Sequence, residues 1–467
     1  MYGPLCVAVE KLQAMKISRS LLLAGNLVLL STACEQTDVF QDQFRDLTPY
    51  EAYYQSLSDV GLAESALVRD WRAAGNTAVE NAAPVSLPFE ELGFLTSNGP
   101  NAMAYRITLG QGQRLIAEVT LESGEVSRVF VDLLRIPTSP NNPLRPVISA
   151  DTLPGVFVHE PWRGGEYILR VQPELLRGGE YRVTLRLEPQ LAFPVEGRDM
   201  RSALSLFGVS REGGRRSHEG IDLFAPRGTP VLATSAGTIN RVSVTNLGGK
   251  VVWIRDPVRN ANIYFAHLDS QVVQNGDRVD VGDTIGFVGN TGNARTTPPH
   301  LHFGIYRRGE GAVDPAPFIR PMPRVRPATI SADLHRLGST MRLRHDGIRL
   351  RSAPHTGSPV VRELTEHTPV HVLAASGDYF RVRLPDGVQG YVAARLTEGV
   401  SEPLERRTVS GITQTAWVTP TLNSHAAAEL DRGTEVSILG RFDGYFYALD
   451  PIGNPVWLKT EEFQGEG

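Results

Sequence analysis

His300-Leu301-His302-Phe303 alternates an imidazole with a large apolar side chain, and a period of two is the pattern of a β-strand with one buried face. Pro298-Pro299 just before it favours an extended entry. On such a strand His300 and His302 point to one side, about 6.6 Å apart, while Leu301 and Phe303 turn to a core. That spacing is too long for both rings to hold one ion comfortably at Zn–N bonds of ~2.0–2.1 Å. One imidazole can therefore ligate while the other faces a reacting group.

Two further patterns supply company for that pair. His218-Glu219-Gly220-Ile221-Asp222 places an imidazole and a carboxylate on one face of an extended segment, about 13 Å apart by the strand rise. They can share an ion only if the chain bends between them, and Gly220 is the residue that permits a bend. Phe265-Ala266-His267-Leu268 adds another imidazole. Cysteine occurs only as Cys6 and Cys34, so any metal in the body of the chain must be held by histidines and carboxylates. Three such protein ligands leave a fourth position for water, which is the catalytic arrangement rather than the structural one.

The remaining chain sets the context for this chemistry. Gly 45 and Pro 32 in 467 residues, with 41% hydrophobic and 21% charged, indicate a soluble, turn-rich and mainly β protein. A polytopic membrane protein and a largely disordered chain are excluded. A net charge of -4 gives no whole-chain footprint for nucleic acid. Met15-Lys16-Ile17-Ser18-Arg19 followed by the apolar run Leu21 to Leu30 reads as a signal peptide, too short to span a bilayer. Ser31-Thr32-Ala33-Cys34 resembles a bacterial lipoprotein signal over residues 1–34, which implies lipidation of Cys34. The expected location is the periplasmic side of an envelope membrane, the outer membrane in a diderm cell.

Residues 35–83 read as helical. Thr48-Pro49-Tyr50-Glu51 has capping-box spacing, and a second helix is predicted over 62–79 with Leu62, Ala66, Trp71 and Ala74 on one face. Residues 84–190 read as an antiparallel β-sandwich accessory domain, with strands at 105–109, 115–119 and 181–185 between glycine-rich turns. The histidine patterns lie in a β-rich region over 191–320, and 321–343 has the Pro- and Arg-rich composition of a semi-rigid linker. Residues 344–400 and 401–467 repeat at an offset of 66: Pro354 with Pro420, Leu364 with Leu430, Tyr379-Phe380 with Tyr445-Phe446, and Tyr391 with Trp457. The repeats resemble bacterial SH3-like domains, and the resemblance implies small β-barrels whose Tyr379, Tyr391, Tyr445 and Trp457 hold cell-wall peptides or glycans. The alternative is that these aromatics are core and the pair a spacer. Two binding units on one chain would gain avidity.

The histidine region itself resembles a known family. His218-Glu219-Gly220-Ile221-Asp222-Leu223 continues into Ala225-Pro226-Arg227-Gly228-Thr229-Pro230-Val231. Gly282-Asp283-Thr284-Ile285-Gly286 leads to Gly289-Asn290-Thr291-Gly292 and on to Pro299-His300-Leu301-His302-Phe303. Residues 204–318 are similar to the lysostaphin-type (LytM-like) zinc endopeptidases that cut peptidoglycan peptides. The resemblance implies a β-sheet peptidase domain with one Zn2+ on His218, Asp222 and His302. It also implies that His267 and His300 handle protons and stabilise an oxyanion. Phe265 stands where the family usually carries Tyr, with Tyr264 one position earlier, a departure that bears on tyrosine assistance and not on the metal set. The expected function is a zinc metalloendopeptidase acting on peptidoglycan in cell-wall remodelling, as a monomer. The alternative is an envelope adaptor of the same fold that binds peptidoglycan and activates a separate amidase.

Overall fold

Thr48 opens the first helix, Pro49–Asp59, through the predicted box: its hydroxyl accepts from the Glu51 amide and the Glu51 carboxylate accepts from the Thr48 amide. The computed structural model describes residues 47–124, 128–151, 153, 155–322, 326–421 and 424–463. The signal segment and Cys34 lie outside the described residues. The second helix runs over Ala66–Glu80, starting later than predicted because Ser65 supplies the cap and Leu62 sits in an exposed turn. Its buried stripe is Val68, Trp71, Gly75 and Ala78, so of the predicted face residues Trp71 lies on the stripe while Leu62, Ala66 and Ala74 lie off it. Trp71 stacks on Tyr50, packs edge-on to Phe130, and donates to the Pro173 carbonyl at 2.8 Å.

That aromatic cluster seats the helices on a β-sandwich. One layer orders the strands Ala83–Pro84, Met103–Leu109, Gly165–Pro173, Val129–Arg135 and Arg145–Ala150. The other contains Phe89–Leu95, Gly179–Pro189, Gln113–Gly124 and Gly155–His159. Tyr105, Ile107, Val131, Leu169, Val183 and Leu185 fill the space between.

The second layer does not stop at the sandwich. Phe89–Leu95 pairs with Pro369–Ser376 of the first C-terminal barrel, Leu92 opposite Ala375 and Gly93 opposite Ala374. Beneath this seam Glu91, fully buried, accepts from Tyr105 Oη at 2.8 Å and from Tyr391 Oη at 2.7 Å, with Arg381 Nη1 at 3.5 Å. The expectation that Tyr391 and Tyr379 face the cell wall is therefore corrected: both are buried, in a cluster with Ala83 of the sandwich. The barrel face that carries them is covered by another part of the chain. Trp457 is also buried, against Phe442 and Tyr447, which leaves Tyr445 alone of the four partly open to solvent.

The offset of 66 is reproduced in the strands. Pro369–Ser376, Tyr379–Arg383 and Gln389–Ala393 of the first barrel correspond to Glu435–Phe442, Tyr445–Leu449 and Pro455–Lys459 of the second. The segment read as a linker behaves differently from its composition. Ala332, Ile330 and Leu337 pack into the first barrel's core, and Thr340–Leu343 is one of its strands. Apolar residues interspersed among the prolines and arginines find a core there.

The region 191–320 forms an antiparallel sheet ordered Ala203–Ser205, Ile221–Phe224, His300–Arg307, Ala261–Leu268, Gly249–Asp256, Gly237–Thr245 and Arg278–Val279. Ile221, Leu223, Phe265, Leu301 and Phe303 are buried in the core on one face. The opposite face carries the histidines.

Candidate metal centre

His300–Arg307 lies between the strands that carry the other two histidine patterns, so three distant segments become neighbours. Asp222 stands opposite His302 on one side and Ala266 opposite His302 on the other. Alternation then does what the sequence implied: Asp222, His300 and His302 share the cleft face while Leu223, Leu301 and Phe303 go inward.

His218 precedes its strand, and the chain turns at Glu219-Gly220 to bring it back. Its Nε2 lies 3.0 Å from Asp222 Oδ1 and 3.0 Å from His302 Nδ1, and the last two atoms are also 3.0 Å apart. The role of Gly220 differs from the expected one. It has no left-handed φ; instead, a Cβ there would stand 2.4 Å from the Phe303 carbonyl oxygen and 2.8 Å from His302 Cε1. Only a residue without a side chain lets the turn lie against the His302 ring.

The donor set fits a zinc ion. Tetrahedral bonds of ~2.0–2.1 Å imply ligand–ligand edges of about 3.3 Å, close to this triangle. The tautomer is right as well. His218 Nδ1 lies 2.9 Å from the Leu206 carbonyl, which can only accept, so Nδ1 carries the proton and Nε2 keeps its lone pair for an ion. Burial works to raise the Asp222 carboxyl, but the adjacent His218 and His302 rings outweigh it and hold it well below the usual carboxylate range. Burial pushes the His302 imidazole down, toward the neutral form a metal requires.

Arg211, which no sequence pattern singled out, completes the shell. Its Nη2 donates to Asp222 Oδ2 at 2.7 Å and to Ser205 Oγ at 2.6 Å, and that hydroxyl lies 3.3 Å from His218 Nδ1. Asp222 therefore keeps Oδ1 for the cluster while Oδ2 is held from behind. Arg211→Ala is expected to weaken metal affinity by about 10–100-fold while the fold persists, measured by competition with a chromogenic chelator. An unchanged affinity would make the contact incidental.

His267 and His300 form the second pair, with ring centroids 5.1 Å apart. Each has its Nδ1 2.9 Å from a carbonyl, Thr291 for His267 and Pro298 for His300, so each Nε2 is left as an acceptor. Burial, with His300 and His302 nearby, pushes the His267 imidazole down to about 4, so it is uncharged at neutral pH. Its backbone explains how it reaches the cleft. Strict alternation after Phe265 and Ala266 would send His267 into the core, but it adopts φ 63° at a register shift against Gly249–Asp256. A bulky residue there is strained by about 1–3 kcal/mol, held in place by the His267 amide donating to the Gly248 carbonyl at 2.8 Å.

The cleft of about 430 Å³ also has an aromatic wall of Trp253, Tyr264 and Tyr306. Tyr264 lies 4.3 Å from Trp253 and 5.7 Å from His302 by ring centroids. Burial raises the Tyr264 hydroxyl, keeping it a proton donor, whereas Phe265 belongs to the core. Strand parity could have found Tyr264 and Tyr306, since they fall at even spacing from Ala266 and His302. The same parity, two residues on from Asp222, reaches Phe224, which stacks on His300 at 4.9 Å.

The chain is similar to known proteins over the same region. Residues 216–315 match the profile of Peptidase family M23, and residues 346–398 that of the bacterial SH3 domain, so the chain carries both kinds of domain. It is 40% identical over 140 residues to an L-Ala–D-Glu endopeptidase of Bacillus subtilis, covering 28% of this chain and 43% of that protein. It is 38% identical over 97 residues to the peptidoglycan DD-endopeptidase ShyC of Vibrio cholerae, covering 20% and 21%. With the glycyl-glycine endopeptidase ALE-1 of Staphylococcus capitis it shares 37% over 108 residues, covering 22% and 29%. The chain spans less than half the length of each of these curated relatives.

Proposed function

We propose that this chain is a zinc-dependent endopeptidase that hydrolyses peptide bonds of bacterial peptidoglycan. The reading rests on one observation above others: the mutual 3.0 Å approach of His218, Asp222 and His302 beside two imidazoles whose Nε2 atoms are left as acceptors. The names of the relatives agree with it, each being an endopeptidase, although those names specify three different bonds.

In this reading His218, Asp222 and His302 hold the ion. Bound zinc supplies a Lewis acid that acidifies water and polarises a carbonyl. His267 and His300 accept a proton at Nε2 and return it to the leaving amine, their Nδ1 hydrogen bonds fixing each ring for the exchange. Tyr264 offers a hydroxyl on the cleft wall, and Trp253 and Tyr306 give the substrate an apolar face to lie on. Export as a lipoprotein anchored through Cys34, on the periplasmic side of an envelope membrane, fits a wall-directed enzyme that works as a monomer. Wall contact by the second C-terminal barrel would fall to Tyr445. The adaptor alternative is disfavoured by the complete ligand set.

The test is incubation of the purified, zinc-loaded chain with intact sacculi and mass spectrometry of the released fragments, with His302→Ala alongside. New termini at one peptide bond, absent in the variant, are the expected result. Absence of cleavage with tight sacculus binding retained would transfer the assignment to the adaptor.

A further inference from the structure

The catalytic cleft continues past Tyr306. That residue also lines a shallow hollow of about 520 Å³ with Arg255, Asn260, Asn262, Arg307 and Arg308. Arg307 in turn lines a hollow of about 250 Å³ with Arg135, His159, Trp162, Arg163 and Tyr167, at the junction of the peptidase sheet and the sandwich. Tyr306 is thus shared by the cleft and the middle hollow, and Arg307 by the middle and inner hollows, so the three follow one another around the end of the central strand.

The path is cationic in a chain whose net charge is -4. Arg135 and Arg308 have no ion-pair partner among the described residues, and Arg135 stands opposite Arg145 on the neighbouring strand. Like charges placed across a strand pair are unfavourable, and neither arginine has an ion pair among the described residues to offset this. Glu310 is the local carboxylate: it pairs with Arg307 at 2.7 Å and Arg163 at 3.2 Å and accepts from Trp162 Nε1 at 3.0 Å. Glu219 lies at the cleft end, 3.2 Å from the Tyr306 hydroxyl. A second observation points to a ligand. Tyr167 is fully buried, its Oη has no hydrogen-bond partner among the described residues, and neither has His159 Nε2, and both residues line the inner hollow. Buried polar groups without partners are uncommon in folded chains.

We propose that this path reads the free carboxylates of the peptide flanking the scissile bond, with Arg308 in the middle hollow and Arg135 in the inner one as the recognising groups. The proposal rests on the peptidase reading, because the path begins where a peptide would be cut. An acidic peptide suits it better than an evenly charged phosphate polymer. Glu310 interrupts the positive charge midway and would repel a uniform polyanion, whereas discrete carboxylates can sit on either side of it. The guanidinium fork matches a planar carboxylate, and Asn260 and Asn262 offer amide groups to a peptide backbone.

The experiment is titration calorimetry on the full chain with the tetrapeptide L-Ala-γ-D-Glu-L-Lys-D-Ala, as free carboxylates and as the carboxamides. The carboxylate form is expected to bind about tenfold more tightly at low salt, the advantage shrinking as salt screens it. Arg308→Gln and Arg135→Gln, both at exposed positions, should each reduce that affinity by roughly three- to tenfold. Together they should erase the preference while leaving the carboxamide unaffected. Equal affinity for the two peptides, or a preference surviving the double substitution, overturns the proposal. Tighter binding of a glycerol-phosphate oligomer than of the peptide overturns the assignment to peptide. Sacculus digestion by the same preparation separates the two readings. Cleavage without carboxylate preference removes only the path, and preference without cleavage removes only the peptidase.

Discussion

Replacing His302 with alanine is expected to strip the bound zinc from the chain and to lower peptidoglycan cleavage by on the order of a thousandfold or more. His302 Nδ1 is one corner of the triangle with His218 and Asp222, and the residual pair offers an ion only one imidazole and one carboxylate oxygen. His300→Ala supplies the contrast. It leaves the triangle intact and removes one of the two rings proposed to handle protons, so zinc content should persist while the rate falls by about 10²–10⁴-fold. Metal analysis by plasma mass spectrometry after dialysis, with circular dichroism as the control for folding, separates the two effects. Stoichiometric zinc retained in the His302 variant would remove this residue from the ligand set, and full cleavage by it would remove the mechanism.

The second large effect is expected far from the metal. Glu91→Ala should destabilise the chain by about 3–5 kcal/mol, because it leaves Arg381 and the hydroxyls of Tyr105 and Tyr391 buried without their acceptor. The melting temperature should drop by on the order of 10 °C. Tyr391→Phe removes one hydrogen bond and no charge, and should cost about 1 kcal/mol. The loss should be felt across both units that the seam joins, so protease sensitivity should rise in the sandwich and in the first barrel together. Equal melting temperatures for wild type and Glu91→Ala would show that the network contributes nothing net, as some buried ion pairs do.

Much of this architecture was legible before any fold was known. The capping box at Thr48, the strands of the sandwich and the offset of 66 are carried by residues close in the chain, where alternation, turn chemistry and caps act locally. The shared face of His300 and His302 was legible for the same reason, since strand parity turns both away from Leu301 and Phe303. The errors also have local causes. Composition read 321–343 as a linker because proline and arginine outnumber the few apolar residues that anchor it. The second helix begins later than the apolar pattern predicts because Leu62 has the right character but stands before the Ser65 cap.

The sequence by itself determined which chemistry was possible: no thiolate ligands, an imidazole–carboxylate set, and strands able to present it on one face. Tertiary structure decided how that chemistry is assembled. It turned His218 back against His302 over a glycine that leaves room for the ring, inverted His267 through a strained φ, and set Arg211 behind Asp222. It also buried Tyr391 on Glu91, 300 residues away in the chain. Alternation and capping are properties of neighbouring residues and survive in any context. A hydrogen bond between distant strands, a left-handed backbone at one position or the covering of an aromatic face depends on which sheets pack together, and only the folded chain contains that information.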